Sequence, residues 1–476
     1  MRKKIFLITA FLCIAAVADA QLNTLFEQEN PAGFSDVTNV VYANIQGRHY
    51  AIYHVRGNGE KIRIIDFTNY YMGVPASSGA FTLTREFEIE QDYSISDIAV
   101  SGDYLFFCGK KSVGGTPYTP TIFNCVLGSL DLAQLSSPSN ISLTYNEITT
   151  ASILGSHMDK LVAYPDGANI IKVVAIAEKD YPSPGDQTRR FFVVESRFST
   201  SSGNFFSMDY RYLWDNYAVG GNNLEVAHEL IKTTNHLAII GYRTDFEALC
   251  IRRCDPSAVL GTPMDTIYYY PSTTHDVLSM MHSTCMSSSD DKISISYLTN
   301  SYNSYYSTCV REIDLYNMAM LSSQEVITNE KSEPIALKYS DVLKRNILVQ
   351  SFVFPAGTYY TTNFISLQMS CSSGYMAPNA FRKVDWFSSA TLNPLNTTDV
   401  IAVSCNYDIF IHDMSFWSTP STPGCPHMST IQVKYIRPVN TLSIIDPKIR
   451  MPLVFSQYLF SKPTSTFTPY NTCESH

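Results

Sequence analysis

The chain has 476 residues, a formal net charge of −9 and 16% charged residues against 13% aromatics. An acidic chain without grouped Lys and Arg excludes nucleic acid as a partner, because phosphate binding needs clustered cations. Few charges beside 31 Tyr and 26 Phe argue against surface helices. They favour sheets, where aromatic and β-branched residues pack on a pleated face.

The chain opens Met1-Arg2-Lys3-Lys4, runs apolar from Ile5 to Val17 and then reads Ala18-Asp19-Ala20. A basic start, a short apolar stretch and an Ala-x-Ala site predict a signal peptide over residues 1–20, cleaved before Gln21. The stretch is too short to span a bilayer, and no later segment is long and apolar enough. The expectation is an exported monomer without a membrane span, in the periplasm, at the cell surface or outside the cell.

Beyond the leader, a three-residue pattern recurs. A hydroxyl or imidazole residue precedes Asp, Asn, Glu or His, and an aliphatic residue opens an apolar run. The copies are Thr38-Asn39-Val40, Ser96-Asp97-Ile98, Ser156-His157-Met158, His228-Glu229-Leu230, His275-Asp276-Val277, Ser340-Asp341-Val342 and Thr398-Asp399-Val400. Their spacing averages about 60 residues, a period that means a solenoid, a propeller or an array.

Strand-like runs follow each copy. After Asp97 to Val100, the Ser101-Gly102-Asp103 turn leads to Tyr104–Cys108, then to Thr121–Leu127 and Ile141–Tyr145. The turns before second strands carry Asn169, Asn235, Asp291 and Asn346, residues that tolerate tight-turn geometry. Several third strands end in a shared acidic–apolar step: Asp66-Phe67, Asp131-Leu132 and Asp314-Leu315.

Four strands per repeat predict an all-β fold, a single β-propeller over residues 21–476. Seven four-stranded blades are expected, with six or eight as alternatives, starting near 38, 96, 156, 228, 275, 340 and 398. Residues 376–387 and 442–460 fit the repeat poorly. Closing the ring needs a strand from a terminus, from residues 22–34 or 452–460, because an open ring exposes a sheet edge.

Asp103-Tyr104-Leu105-Phe106-Phe107-Cys108-Gly109, with Ile122-Phe123-Asn124-Cys125 and Leu130-Asp131-Leu132, resembles blades of exported propeller proteins of Bacteroidetes-type bacteria. The leader resembles theirs as well. Many of those proteins have no assigned activity, so the resemblance implies a fold and a compartment and no catalytic motif.

Cys125, Cys250 and Cys309 share one position in the third strand, which predicts buried packing. Cys108 with Cys125 is the best disulfide candidate and Cys285 with Cys309 a weaker one. Cys250 and Cys254 have no second ligand pair nearby, so no zinc site is expected.

In a propeller the innermost strands line a central channel, so the triplets place Asn39, Asp97, His157, Glu229, Asp276, Asp341 and Asp399 near its mouth. Their repetition favours a turn-closing role for the Asp residues. Histidine breaks the pattern at 157, 228 and 275. The candidate binding residues are therefore His157, His228, His275, Asp276 and Asp97, with no catalytic residue assigned and no metal or cofactor predicted. Tyr268-Tyr269-Tyr270, Tyr302, Tyr305-Tyr306 and Tyr359-Tyr360 are candidate recognition aromatics. Trp214, Trp386 and Trp417 are read as filling gaps between blades.

No Gly-x-Ser-x-Gly, phosphate loop, His-Glu-x-x-His or sialidase-type Asp box occurs. The expected function is a binding or interaction module for an unknown protein or glycan. The alternative is a carbohydrate-active enzyme, a glycoside hydrolase or lyase at the channel mouth.

Overall fold

The computed structural model describes residues 23–27, most of 36–413, and segments 432–435, 441–446, 451–452, 455–460 and 470–471. The leader, His275, Trp214, Trp386, Trp417, Tyr270, Tyr302, Tyr305 and Tyr359 lie outside the described residues.

Strands dominate, and they pair into seven sheets. Blade 1 comprises Asp36–Ile45, Arg48–Arg56, Lys61–Asp66 and Thr82–Glu88. Blade 2 comprises Tyr93–Ser101, Tyr104–Val113, Ile122–Asp131 and Leu143–Ile148. Blade 3 runs Ser156–Pro165, Ile170–Lys179, Arg190–Ser199 and Asn204–Tyr212, and blade 4 runs Glu225–Lys232, Leu237–Arg243, Ala248–Cys254 and Met264–Tyr269.

Blade 5 has a split inner strand, Asp276–Val277 and His282–Ser287, followed by Lys292–Asn300, Tyr306–Asp314 and Ala319–Ile327. Blade 6 comprises Ser332–Ser340, Arg345–Val353, Tyr360–Leu367 and Asn379–Lys383. Blade 7 takes Phe387–Asn393, Asn396–Ser404 and Ile409–Asp413 from one end of the chain and Asn23–Glu27 from the other. Five blades are thus built from consecutive strands; in blade 6 the short strand Tyr375–Met376 intervenes and pairs with Gln432–Tyr435 instead, and the seventh blade joins both ends. Asn23–Glu27 pairs antiparallel with Ile409–Asp413, with Phe26 opposite Ile409. Of the two expected closing segments, the N-terminal one does the work.

Each inner strand packs on the next, and the first packs on the seventh, which closes the ring. Every interface between neighbours has its own apolar cluster. Ile52, Ile64, Ile98 and Leu105 join blades 1 and 2, and Phe106, Leu127, Phe198 and Phe205 join blades 2 and 3. At the closure, Val37, Tyr53 and Ile65 meet Ile401, Val403 and Ile411. Burying a side chain of this size contributes about 1.5–3 kcal/mol, so a closed ring gains one whole interface over an open one.

The acidic–apolar step has a physical role. Phe67, Leu132 and Leu315 are buried and donate their backbone N–H to the carbonyls of His49, at the start of a second strand, and of Asp103 and Asp291, in the turns between first and second strands. The preceding Asp carboxylates accept from the chain just ahead: Asp66 from Thr68, Asp131 from Ala133, Asp314 from Asn317. Asn169 and Asp291 adopt φ of 86° and 52°, the left-handed geometry their residue types tolerate.

The region that fits the repeat poorly, residues 442–460, is part of a belt rather than of a blade. Gln432–Tyr435 adds an antiparallel strand to the outer edge of blade 5, Thr441–Asp446 to blade 4, Met451–Pro452 to blade 3 and Phe455–Phe460 to blade 2. Tyr470–Asn471 then pairs with Asn23–Glu27 of blade 7. The tail therefore runs round the rim against the order in which the blades were laid down. Such pairing covers edges that would otherwise offer free backbone groups to another chain.

Cys125, Cys250 and Cys309 are buried in third strands, as their shared position predicted. The proposed disulfides do not form. Cys108 faces Leu127 while Cys125 faces Lys110, so the two thiols are two residues out of register and form no disulfide with each other. Cys285 pairs with Ile293 and Cys309 with Tyr297, and both are free. No helix among the described residues is long and apolar enough to cross a membrane.

Candidate functional site

Six inner strands share one irregularity. Register shifts fall at Val37/Asn39, Ile95/Asp97, Met158/Lys160, Ala227/Glu229, Pro334/Ala336 and Phe387/Ser389. Each is a β-bulge, which inserts an extra residue and re-aims the next side chain. In blade 5 the break between Val277 and His282 takes its place. The second strand must come close at the bulge. In blades 2 and 4 it does so with glycine: a Cβ on Gly109 would lie 1.9 Å from the Ser94 carbonyl oxygen, and one on Gly241 would lie 1.8 Å from that of Val226.

The residues after the bulges converge on the channel. Asn39, Asp97, Lys160, Glu229, Ala336 and Ser389 line a cavity of about 180 Å³, together with His282 and Ser283 from blade 5 and Lys338 from blade 6. That is the liquid volume of about six waters, so the cavity suits a small ligand or one end of a larger one.

The lining is polar and bonds from blade to blade. Asn39 Nδ2 donates to Asp97 Oδ1 at 2.5 Å, and the Leu161 N–H donates to Asp97 Oδ2 at 3.0 Å. Lys160 Nζ pairs with Glu229 Oε1 at 3.1 Å, and Ser283 Oγ donates to Glu229 Oε2 at 3.1 Å. His282 Nε2 lies 3.0 Å from the Pro334 carbonyl. These contacts link blades 1 to 6 in succession. Lys338 has no ion-pair partner among the described residues.

Burial dominates the titration of these groups. It pushes the Asp97 carboxyl up, with Lys160 and the Leu161 N–H pulling the other way. Burial opposes the Lys160 charge, but Glu229 and Asp97 more than offset it and raise that ammonium. Lys338 is pushed down by burial, against the attraction of Glu229 and with the repulsion of Lys160. His282 is pushed down to about 3 by burial, with Lys160 and Lys338 adding to the effect. At neutral pH His282 is uncharged, so Nε2–H donates to Pro334 and Nδ1 keeps its lone pair.

Of the expected binding residues, Asp97 lies in the lining. His228 is the extra residue of the blade 4 bulge and stacks on Tyr242, with ring centroids 5.3 Å apart and an interplanar angle of 15°. His157 pairs across the strands with Glu178, and its ring also approaches Asp159. Asp276 pairs with Asn300 at the strand break, and its side chain is not among those described. Two triplets do not start inner strands. Asp341 sits in the turn between the first two strands of blade 6, and Asp399 lies in the second strand of blade 7, opposite Asp413. The channel positions in those blades belong to Ala336 with Lys338 and to Ser389.

Sequence reasoning did not single out Lys160, His282, Lys338 or Ser389. Lys160 follows the third triplet by only two residues, and its signal is the small Ala177 facing Met158 across the bulge, which is visible once the pairing is known.

A second polar cluster lies between blades 1 and 2. Thr38 Oγ1 and His54 Nδ1 are 2.6 Å apart, and His54 Nε2 is 3.1 Å from Glu60 Oε2. The order is hydroxyl, imidazole, carboxylate, but Glu60 also accepts from Ser94 Oγ at 2.7 Å and the Ile95 N–H at 2.8 Å. This carboxylate ties one inner strand to the next, which is a latch.

No family model matches the chain, and no curated protein matches it. Among solved structures it is similar to a Bombyx mori β-fructofuranosidase of glycoside hydrolase family 32, at 11% identity and a TM-score of 0.29. That match covers 89% of this chain and 97% of the other. It is also similar to a prolyl endopeptidase, at 10% identity and a TM-score of 0.20, over 67% of this chain and 54% of the other. Likenesses this loose carry nothing about activity. The propeller rests on the strand pairing itself.

Proposed function

We propose that this chain is an exported β-propeller acting as a binding module, whose channel takes a small polar ligand through an anionic group held by Lys338. The observation that carries this reading is the division of labour in the lining. Asp97 and Glu229 are engaged by Asn39, Leu161, Lys160 and Ser283. Lys338 is half-buried and lacks an ion-pair partner among the described residues. An anion there offsets the desolvation that disfavours the Lys338 charge. His282 Nδ1 and Ser389 supply further polar groups to the same small volume.

Binding is tested by calorimetry with acetate, succinate and inorganic phosphate. The expected result is uptake by at least one of them that weakens as pH rises, since the ligand favours protonated Lys338. In Lys338→Met the affinity falls at least tenfold. No uptake of any probe, or uptake unchanged in Lys338→Met, overturns the reading.

One observation favours a carbohydrate-active enzyme instead. A carboxyl raised by burial, as Asp97 is, suits a general acid. A glycan-degradation screen on wild type and Asp97→Asn separates the two: turnover lost in the variant supports the enzyme.

A further inference from the structure

We propose that blade 3 carries a site for a divalent transition-metal ion, built from His157, Asp159 and Glu178. It lies on the first two strands, beside the channel lining and apart from it, and the proposal goes beyond the ligand reading above.

Local strand geometry assembles the three groups. His157 and Glu178 face each other across the antiparallel pair, and Asp159 is the residue added by the Met158/Lys160 bulge. One donor atom from each residue lies within 4.8 Å of the others. His157 Nε2 is 3.1 Å from Asp159 Oδ1 and 4.0 Å from Glu178 Oε2. An ion bound at about 2.1 Å holds adjacent ligand atoms about 3.0–3.4 Å apart. The first pair already has that spacing. The second reaches it with a movement of less than about 1 Å by a flexible Glu side chain. The side chains are 16%, 35% and 13% exposed, so an ion has an entry path and open positions for water.

The donor set narrows the ion. One imidazole with two carboxylates suits Zn²⁺, Mn²⁺ or Fe²⁺, whereas Ca²⁺ and Mg²⁺ prefer all-oxygen ligands. A simple ion pair needs one carboxylate for its imidazole. Here a second carboxylate closes on the same nitrogen, and a dication offsets the mutual repulsion.

The test uses the full mature chain, untagged and stripped with EDTA, titrated by calorimetry with ZnCl₂, MnCl₂ and CaCl₂. The expected result is one Zn²⁺ or Mn²⁺ per chain, no Ca²⁺ uptake, and at least tenfold weaker binding in Asp159→Asn and in Glu178→Gln. Asp159 is the most exposed of the three, so its isosteric variant decides the matter if His157→Ala fails to fold. Lys338→Met takes up metal like wild type, which keeps this site distinct from the channel ligand. Absence of stoichiometric Zn²⁺ or Mn²⁺ uptake, or uptake unchanged in both carboxylate variants, overturns the proposal.

Discussion

The channel and the rim of this propeller are held together by different chemistry. In the channel, neighbouring blades bond through individual side chains: Asn39 to Asp97, Lys160 to Glu229, Ser283 to Glu229. At the rim, the belt strands bond to blades 2, 3, 4 and 5 through backbone ladders. A side-chain bond depends on one residue at one position. A ladder depends on an extended chain of the right length and tolerates many sequences. The centre is therefore where substitution is felt residue by residue, and the rim is where the tail acts as a unit.

Four experiments bear on that contrast. Removing residues 432–476 uncovers the outer edges of five blades at once and gives the largest effect, loss of a monodisperse species in size-exclusion chromatography. A truncated chain that stays monodisperse breaks the contrast, because the belt is then dispensable. Gly241→Ala comes next. Its Cβ would meet a backbone oxygen at 1.8 Å, and backbone cannot swing aside as a side chain does. A loss of about 3 kcal/mol in urea unfolding is expected.

Glu229→Gln is third. It leaves the half-buried Lys160 ammonium without its carboxylate, at a cost of about 2 kcal/mol, below the full penalty of a deeply buried pair because Lys160 is partly open to the cavity.

The fourth experiment reads the dependence on pH. His282 titrates near 6.5 when unfolded and at about 3 when folded. Its folded value is depressed, so the unfolded chain binds the extra proton between those limits. The stability it confers is complete above about pH 6.5 and lost as pH falls toward 3, with a slope of at most about 1.4 kcal/mol per pH unit. Asp97, whose carboxyl is raised, has the opposite sign. The comparison of wild type with His282→Gln at pH 7, 5.5 and 4.5 isolates the histidine. A variant that loses stability on acidification as steeply as wild type removes His282 from the account.

Much of the blade was legible in the residues themselves. The turn residues Asn169 and Asp291, the steps at Asp66-Phe67, Asp131-Leu132 and Asp314-Leu315, and the burial of Cys125, Cys250 and Cys309 are local. Each follows from a side chain's own backbone preference or hydrophobicity. The site was legible only in part. Asn39, Asp97 and Glu229 reach the lining as expected, while the sixth and seventh triplets fall in a turn and a second strand. A polar residue ahead of an apolar run looks alike at each of these places.

By itself the sequence determined an all-β chain, its strand grammar and the propeller those strands build, because period-two runs and turn residues act over a few positions. Only the tertiary structure decided which residues face the channel, that residues 23–27 close the ring, that the thiols stay apart and that the tail forms a belt. Those outcomes depend on register between distant strands. A shift of one residue turns a side chain to the other face, and backbone ladders leave little mark on the residues that form them.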